Sequence, residues 1–129
     1  RYIRYIAEKE KCCVLELNRE DLPLLYGCGP SEFLYLIDHA ECILTDSFHG
    51  TVFSILFEKK FIIFERNGLR NSMSSRIDSL MDTLELETCG CRYRSERQDP
   101  ILPDYERSFY ILSEEKKRSV EYLTQILER

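Results

Sequence analysis

The stretch CILTDSFHGTVFSILFEKKFIIF, residues 42–64, contains two short apolar runs on either side of a longer one. CILT (42–45) and FIIF (61–64) are rich in apolar residues and lack polar alternation, as is typical of strands buried on both faces. Between them, Gly50–Phe57 is apolar nearly all round, which predicts a helix buried on most of its surface. Helices that cover both faces of a parallel sheet bury such strands, so the stretch predicts an α/β fold.

The rest of the chain continues this alternation. Apolar spacing and helix-start residues predict a third strand at CCVLEL (12–17) and helices at 1–10, at 30–40, around 77–84 and around Val120, Leu123 and Leu127. We therefore predict one Rossmann-like three-layer domain with a parallel sheet over residues 1–129. Three clear strands are few for such a sheet, and the chain begins with Arg1 rather than methionine. We expect this domain to be a segment of a longer protein.

Composition limits the classes of function. The net charge is −5 and basic residues are interspersed with acidic ones, so we expect no binding surface for nucleic acid or for an anionic membrane. No apolar run approaches the roughly 18 residues that cross a bilayer, and the N-terminus lacks a signal-peptide core. The cysteine spacings, including Cys89-Gly90-Cys91, do not match a zinc site. We expect a cytoplasmic protein with reduced cysteines and no metal.

The polar turn between the first strand and the central helix is the candidate site. If CILT is a parallel strand, Asp46–His49 lies at its carboxyl end, the edge where ligands bind in open α/β sheets. The start of the next helix favours an anion through its unpaired N–H groups and dipole. Ser47 and Thr51 offer hydroxyls, Gly50 allows a close approach to the backbone, and His49 can carry a proton.

The same turn has two other interpretations. Asp46 or Ser47 can act as a simple N-cap, with His49 an ordinary polar residue of the turn. A hydrolase triad of Asp46, Ser47 and His49 is rejected, because residues so close on one turn cannot place a nucleophile, base and orienting acid in line. The anion site and the capped helix both remain open at this point.

A longer pattern resembles a known family. Residues 29–68, GPSEFLYLIDHAECILTDSFHGTVFSILFEKKFIIFERNG, and 71–86, NSMSSRIDSLMDTLEL, together resemble the C-terminal domain of the polysaccharide pyruvyl transferases. The shared features are a Gly-Pro-x-Glu-Phe-Leu helix start, a strand into Thr-Asp-Ser-Phe-His-Gly-Thr, a second strand and an Arg-Ile-x-x-Leu helix.

The resemblance implies transfer of a pyruvyl group from phosphoenolpyruvate to a sugar of a bacterial cell-surface polysaccharide or its precursor. The products are a pyruvate ketal and phosphate, and no separate cofactor is implied. It also implies a fold similar to one lobe of the GT-B glycosyltransferases, with the active site in the cleft between two Rossmann-like lobes. The present chain would be the donor-binding lobe, active only with its missing N-terminal lobe and located in the cytoplasm or at the inner face of the membrane.

On this resemblance His49 is the candidate acid/base residue or phosphate-binding imidazolium. Arg66, after the FIIF strand, and Arg76, in the matched SRI segment, are candidates for the donor's phosphate or carboxylate, because a guanidinium matches oxyanions bidentately. Ser47, Gly50 and Thr51 complete the predicted substrate-binding set, with weaker candidates at Asn71, Ser72 and Ser75.

Two further functions remain as alternatives. A donor lobe of a GT-B glycosyltransferase would bind a nucleoside diphosphate at the same edge of the sheet. A non-catalytic Rossmann-like interaction module would use the SFHG turn only as a helix cap and would tolerate His49→Ala.

Overall fold

The computed structural model describes residues 1–17, 27–65, 72–87 and 90–128, with residues 72–74 as backbone. Helices and strands alternate through the first half of this part of the chain, and two helices follow. In chain order they are α1 (Tyr2–Glu10), α2 (Pro30–Asp38), β1 (Cys42–Thr45), α3 (Phe48–Leu56), β2 (Lys60–Ile63), α4 (Ser72–Thr83) and α5 (Tyr105–Leu127).

The two strands form a parallel pair joined by α3. Their register pairs Cys42 with Lys60 and Thr45 with Ile63. A parallel bridge between Ile63 and Arg92 extends the sheet on the far side of β2, with Ile63 N donating to Cys91 O at 2.7 Å. The strand, helix and strand predicted from residues 42–64 are therefore confirmed, although α3 begins at Phe48 rather than at Gly50.

Apolar side chains pack against both faces of this sheet. On one face, Ile43, Phe61 and Ile63 join a core cluster that includes buried residues of α2, α3, α4 and α5. On the other face, Ile62 packs with Tyr2 and Ile6 of α1. Because alternate residues of β2 enter different clusters, the strand is buried on both sides, as its unbroken apolar sequence predicts.

The predicted strand at residues 12–17 is wrong. Residues 12–16 have no regular secondary structure and residue 17 lies in a turn. Val14 and Leu15 are 52% and 55% exposed, so this apolar run does not enter the described core. A strand exists only where a partner supplies ladder hydrogen bonds, and within the described residues the sheet pairs β1 with β2 and Ile63 of β2 with Arg92.

The C-terminal helix begins well before its apolar repeat. Asp104 caps α5 by accepting a hydrogen bond from Glu106 N at 3.2 Å, and Tyr105 is buried. The hydroxyl of Tyr105 donates to the carbonyl of Lys59, and Ser108 Oγ donates to Leu84 O at 3.0 Å. The residues that predicted this helix, Val120, Leu123 and Leu127, are instead exposed. The helix is confirmed, but its first turns are the part that packs.

The α/β class is confirmed by the parallel strand pair and its crossover helix. The described sheet has two strands and one bridge, so a three-layer Rossmann-like domain and its likeness to a GT-B lobe stay predictions. None of the described helices combines the length and the apolar character that crossing a membrane requires.

Candidate functional site

The turn between β1 and α3 is held by its own hydrogen bonds. Ser47 N donates to Thr45 Oγ1 at 3.1 Å, at the carboxyl end of β1. Ser47 is the N-cap of α3, and its Oγ accepts a long hydrogen bond of 3.4 Å from Gly50 N. The backbone carbonyl of Ser47 accepts from both Thr51 N and Thr51 Oγ1, each at 3.0 Å. Ser47 therefore does cap the helix, as one of the two interpretations of the turn predicted.

Gly50 allows α3 to approach β1 closely. An added Cβ at this position would lie 2.3 Å from Thr45 Oγ1 and 3.1 Å from Thr45 Cβ, inside van der Waals contact. Gly50 is buried, so the described reason for a glycine here is helix–strand packing. Close approach of a ligand to its backbone stays a prediction.

Thr51 supports the turn from inside. Its side chain is completely buried, and its hydroxyl is engaged with Ser47 O. One turn later Ser54 Oγ donates to Gly50 O at 2.6 Å, also in the interior. Direct binding of substrate by the Thr51 hydroxyl stays a prediction. In this arrangement the side chain positions the Ser47 carbonyl and, through it, the start of the helix.

His49 lies at the exposed side of the same helix start. It is the second residue of α3, where a helix leaves backbone N–H groups without intrahelical partners and the dipole is positive. Its ring meets the ring of Phe48 edge-on, with centroids 5.7 Å apart and planes at 81°. An imidazole is thus placed beside a helix end that attracts anions.

Arg76 of α4 reaches this helix end from a different part of the chain. Its Cζ atom lies 4.1 Å from the centroid of the Phe48 ring, within the range of a cation–π interaction. Phe48 therefore contacts both His49 and Arg76. The fold brings together two of the predicted site residues through an aromatic side chain that the sequence analysis treated only as part of a motif.

The turn and the strands around it lie within a match to a family model. The model for polysaccharide pyruvyl transferase matches residues 4–68, about half of the chain. The chain belongs to the polysaccharide pyruvyl transferase family. No curated protein and no solved structure matches it. Membership of this family indicates that the chain is part of a transferase. The family also implies that the acceptor is a polysaccharide.

The family match confirms the resemblance but has different limits. It begins within α1, well before the predicted start at Gly29, and it ends shortly after β2. Ser47, His49, Gly50 and Thr51 lie inside it, as does Arg66. Arg76 lies outside it, so the case for this arginine depends on its contact with Phe48 rather than on the family.

Arg92 and two carboxylates form a hydrogen-bonded network that holds α4 in this pyruvyl transferase family chain. Arg92, opposite Ile63 in the sheet, donates from Nη2 to Asp78 Oδ1 at 2.6 Å and to Glu87 Oε1 at 2.7 Å, and from Nε to Glu87 Oε2 at 3.2 Å. These hydrogen bonds hold the pKa of Glu87 below its ordinary value and raise that of Arg92. Because Asp78 lies close to Arg76 along α4, this network ties the arginine's helix to the sheet.

Several predicted site residues cannot be placed in the same way. Arg66 and Asn71 lie outside the described residues, as does the side chain of Ser72, while Ser75 is an exposed residue of α4. Within the part of the chain that the structure describes, no three His, Cys, Asp or Glu side chains come together as a metal site. The expectation of a metal-free site stays a prediction.

Sequence reasoning missed the roles of Phe48 and Arg92. Phe48 is a single aromatic residue between Ser47 and His49 in the polar turn, and nothing local connects it to a residue of a later helix. Arg92 lies in a polar stretch with no hydrophobic period. A cationic residue followed by an aromatic in that stretch, Arg92-Tyr93, was the one available signal of a short edge strand.

Proposed function

We propose that this chain is the donor-binding lobe of a polysaccharide pyruvyl transferase that uses phosphoenolpyruvate. The observation that carries the proposal is that Phe48, at the start of α3 and within the family match, contacts both His49 and Arg76. Phosphoenolpyruvate brings a phosphate and a carboxylate. A helix N-terminus, a guanidinium and an imidazole are the groups that proteins use to hold such anions.

The proposed reaction joins two sugar hydroxyls to one carbon of the donor. The first hydroxyl adds to the enol carbon of phosphoenolpyruvate, while the methylene carbon gains a proton and becomes a methyl group. The second hydroxyl then displaces phosphate from the same carbon. The products are a pyruvate ketal and inorganic phosphate, and each hydroxyl loses its proton. The reaction requires no oxidant, reductant or separate cofactor.

In the proposal the candidate site residues have separate roles. His49 transfers a proton at the methylene carbon or the attacking hydroxyl, or binds the phosphate as an imidazolium. Arg76 pairs with the phosphate or carboxylate, and we assign the same kind of role to Arg66. Ser47, Gly50 and Thr51 act by fixing the backbone of the turn at the start of α3.

We further propose that the acceptor sugar is bound mainly by a second, N-terminal lobe, as in the GT-B enzymes, and that the reaction takes place in the cytoplasm or at the inner face of the membrane. On this proposal the isolated chain binds phosphoenolpyruvate but does not turn it over.

The test is a titration of the 129-residue chain, followed by backbone amide NMR, with phosphoenolpyruvate and, separately, with a nucleoside diphosphate. The expected result is shifts centred on residues 47–51 with phosphoenolpyruvate only, weakened in His49→Ala. His39→Ala is the matched control, because His39 follows α2 at the opposite edge of the sheet and stacks on Tyr35 at 4.0 Å.

The other outcomes point to the other functions. Preferential shifts with the nucleotide would favour the donor lobe of a glycosyltransferase. Shifts with neither ligand, together with full activity of His49→Ala in the natural enzyme, would favour an interaction module in which the turn is only a helix cap.

A further inference from the structure

Phe48 contacts both Arg76 and His49, two residues of the candidate site. It is the first residue of α3, and its partly buried ring packs against the main core cluster. The ring carries the guanidinium of Arg76 on its face at 4.1 Å and meets the His49 ring edge-on at 5.7 Å. An aromatic side chain held by the core thus contacts both of these groups at the helix start.

Stacking is compatible with anion binding by the same guanidinium. The ring interacts with the face of the planar group, whereas the N–H groups of an arginine donate within its plane toward a carboxylate or phosphate. Arg76 is an exposed residue, and an exposed arginine loses much rotamer freedom when it is held for a ligand. A ring that already restricts the guanidinium reduces this loss on binding.

We propose that Phe48 is a positioning residue that holds the Arg76 guanidinium at the start of α3 for an anionic group of the donor. The identity of that anion, the phosphate or carboxylate of phosphoenolpyruvate, rests on the proposed function. The position of Arg76 does not, because its contact with Phe48 involves only atoms of the protein. Phe48 does not itself touch the reacting atoms; it acts through Arg76.

The competing role of Phe48 is to fill the core. Leucine and tyrosine separate the two roles. Phe48→Leu keeps an apolar side chain against the core but removes the aromatic face, whereas Phe48→Tyr keeps the face. If Phe48 only fills the core, leucine should replace it adequately. If Phe48 positions Arg76, leucine should not replace it.

The first measurement is a double-mutant cycle on the dissociation constant of phosphoenolpyruvate in the 129-residue chain. Phe48→Leu is expected to weaken binding about two- to fivefold, the size of an exposed cation–π contact. Phe48→Tyr is expected to restore binding. In an Arg76→Gln background, Phe48→Leu is expected to cause no further loss. An equal loss in both backgrounds, or no loss in either, would overturn the proposal.

The second measurement needs no ligand. In the free protein the Arg76 Nε–Hε NMR signal is expected to be shifted by the ring current of Phe48 and to lose that shift in Phe48→Leu. Tyr110→Leu is the matched control, because Arg107 lies over the Tyr110 ring at 5.7 Å on α5 and only its signal should respond.

The dissociation constant of phosphoenolpyruvate and the Arg76 NMR signal together separate the positioning role of Phe48 from the assignment of the donor. If phosphoenolpyruvate fails to bind but the Arg76 signal depends on Phe48, the positioning contact stands and the donor assignment fails. If the Arg76 signal is the same in Phe48→Leu, the positioning role is refuted whether or not phosphoenolpyruvate binds.

Discussion

Gly50 of α3 faces the hydroxyl of Thr45 at the end of β1 so closely that a Cβ on residue 50 would lie 2.3 Å from Thr45 Oγ1. We expect Gly50→Ala to lower the free energy of unfolding by about 1–3 kcal/mol, because α3 must move away from the strand or Thr45 must change rotamer. The same movement displaces the start of the helix, so if phosphoenolpyruvate binds there, as proposed above, its binding should weaken as well. Urea denaturation and ligand titration measure the two effects.

Thr45→Ala provides the double-mutant test of this contact. It removes Oγ1 but also the acceptor for Ser47 N, so it is destabilising alone. The double variant should nevertheless be more stable than the sum of the two single effects predicts. Gly29→Ala is the control, because its nearest neighbour is the end of the flexible Glu32 side chain, at 2.8 Å. If Gly29→Ala and Gly50→Ala are equally costly, the close packing on Thr45 is not the cause.

Tyr105 is expected to anchor the first turn of α5 to the loop before β2. Its hydroxyl donates to the carbonyl of Lys59 and lies 3.4 Å from Ser54 O. Tyr105→Phe should lower the free energy of unfolding by about 1–2 kcal/mol, since the partly buried carbonyl of Lys59 loses its donor. Tyr122→Phe, on a side chain that is 64% exposed, should change it by less than about 0.5 kcal/mol. Similar losses from both changes would contradict this role.

The ion pair between Glu87 and Arg92 should make stability depend on pH. Hydrogen bonds from Arg92 hold the pKa of Glu87 below its ordinary value of 4.5. Ionised Glu87 therefore stabilises the fold fully above that ordinary value, and the stabilisation is lost as the pH falls through the lowered pKa. The difference in unfolding free energy between the unaltered chain and Glu87→Gln should be largest at pH 7 and shrink below about pH 4.5.

The control for this pH effect is the same comparison in an Arg92→Gln background. Without the guanidinium, the pH-dependent part of the difference should be strongly reduced. A pH dependence that persists unchanged there would show that Arg92 does not cause it.

Cys42 is expected to resist alkylation. Burial, the main cause, raises the pKa of its thiol to about 12, so at pH 8 the thiolate is only about one molecule in ten thousand. Mass spectrometry after treatment with iodoacetamide should find Cys13, whose side chain is exposed, labelled well before Cys42. Denaturant should remove the difference. Equal labelling rates in the native protein would contradict the burial of Cys42.

The elements that the sequence predicted well are those in which local pattern and tertiary environment agree. CILT (42–45) and FIIF (61–64) are apolar runs that flank a helix-forming segment, and the strands that contain them pair with each other in the fold. CCVLEL has a similar composition but no described ladder partner, because strand pairing depends on residues far away in the chain. Val120, Leu123 and Leu127 show the helical period of α5, but periodicity does not say which part of a helix meets the core.

The candidate site was predicted in its local part and missed in its long-range part. Ser47 and His49 could be placed at a helix start because caps and glycines are short-range signals. The structure adds that Thr51 is buried and that Arg76 stacks on Phe48. Both depend on how α3 packs against β1 and α4, which sequence spacing does not encode.

The contact between Phe48 and Arg76 also has an evolutionary consequence. The two residues belong to different helices, and their contact exists only while both side chains are present. Relatives that lose the aromatic side chain at position 48 are therefore expected to lose or relocate the arginine as well, whereas a histidine at position 49 should persist. The two helices would then be inherited as one unit.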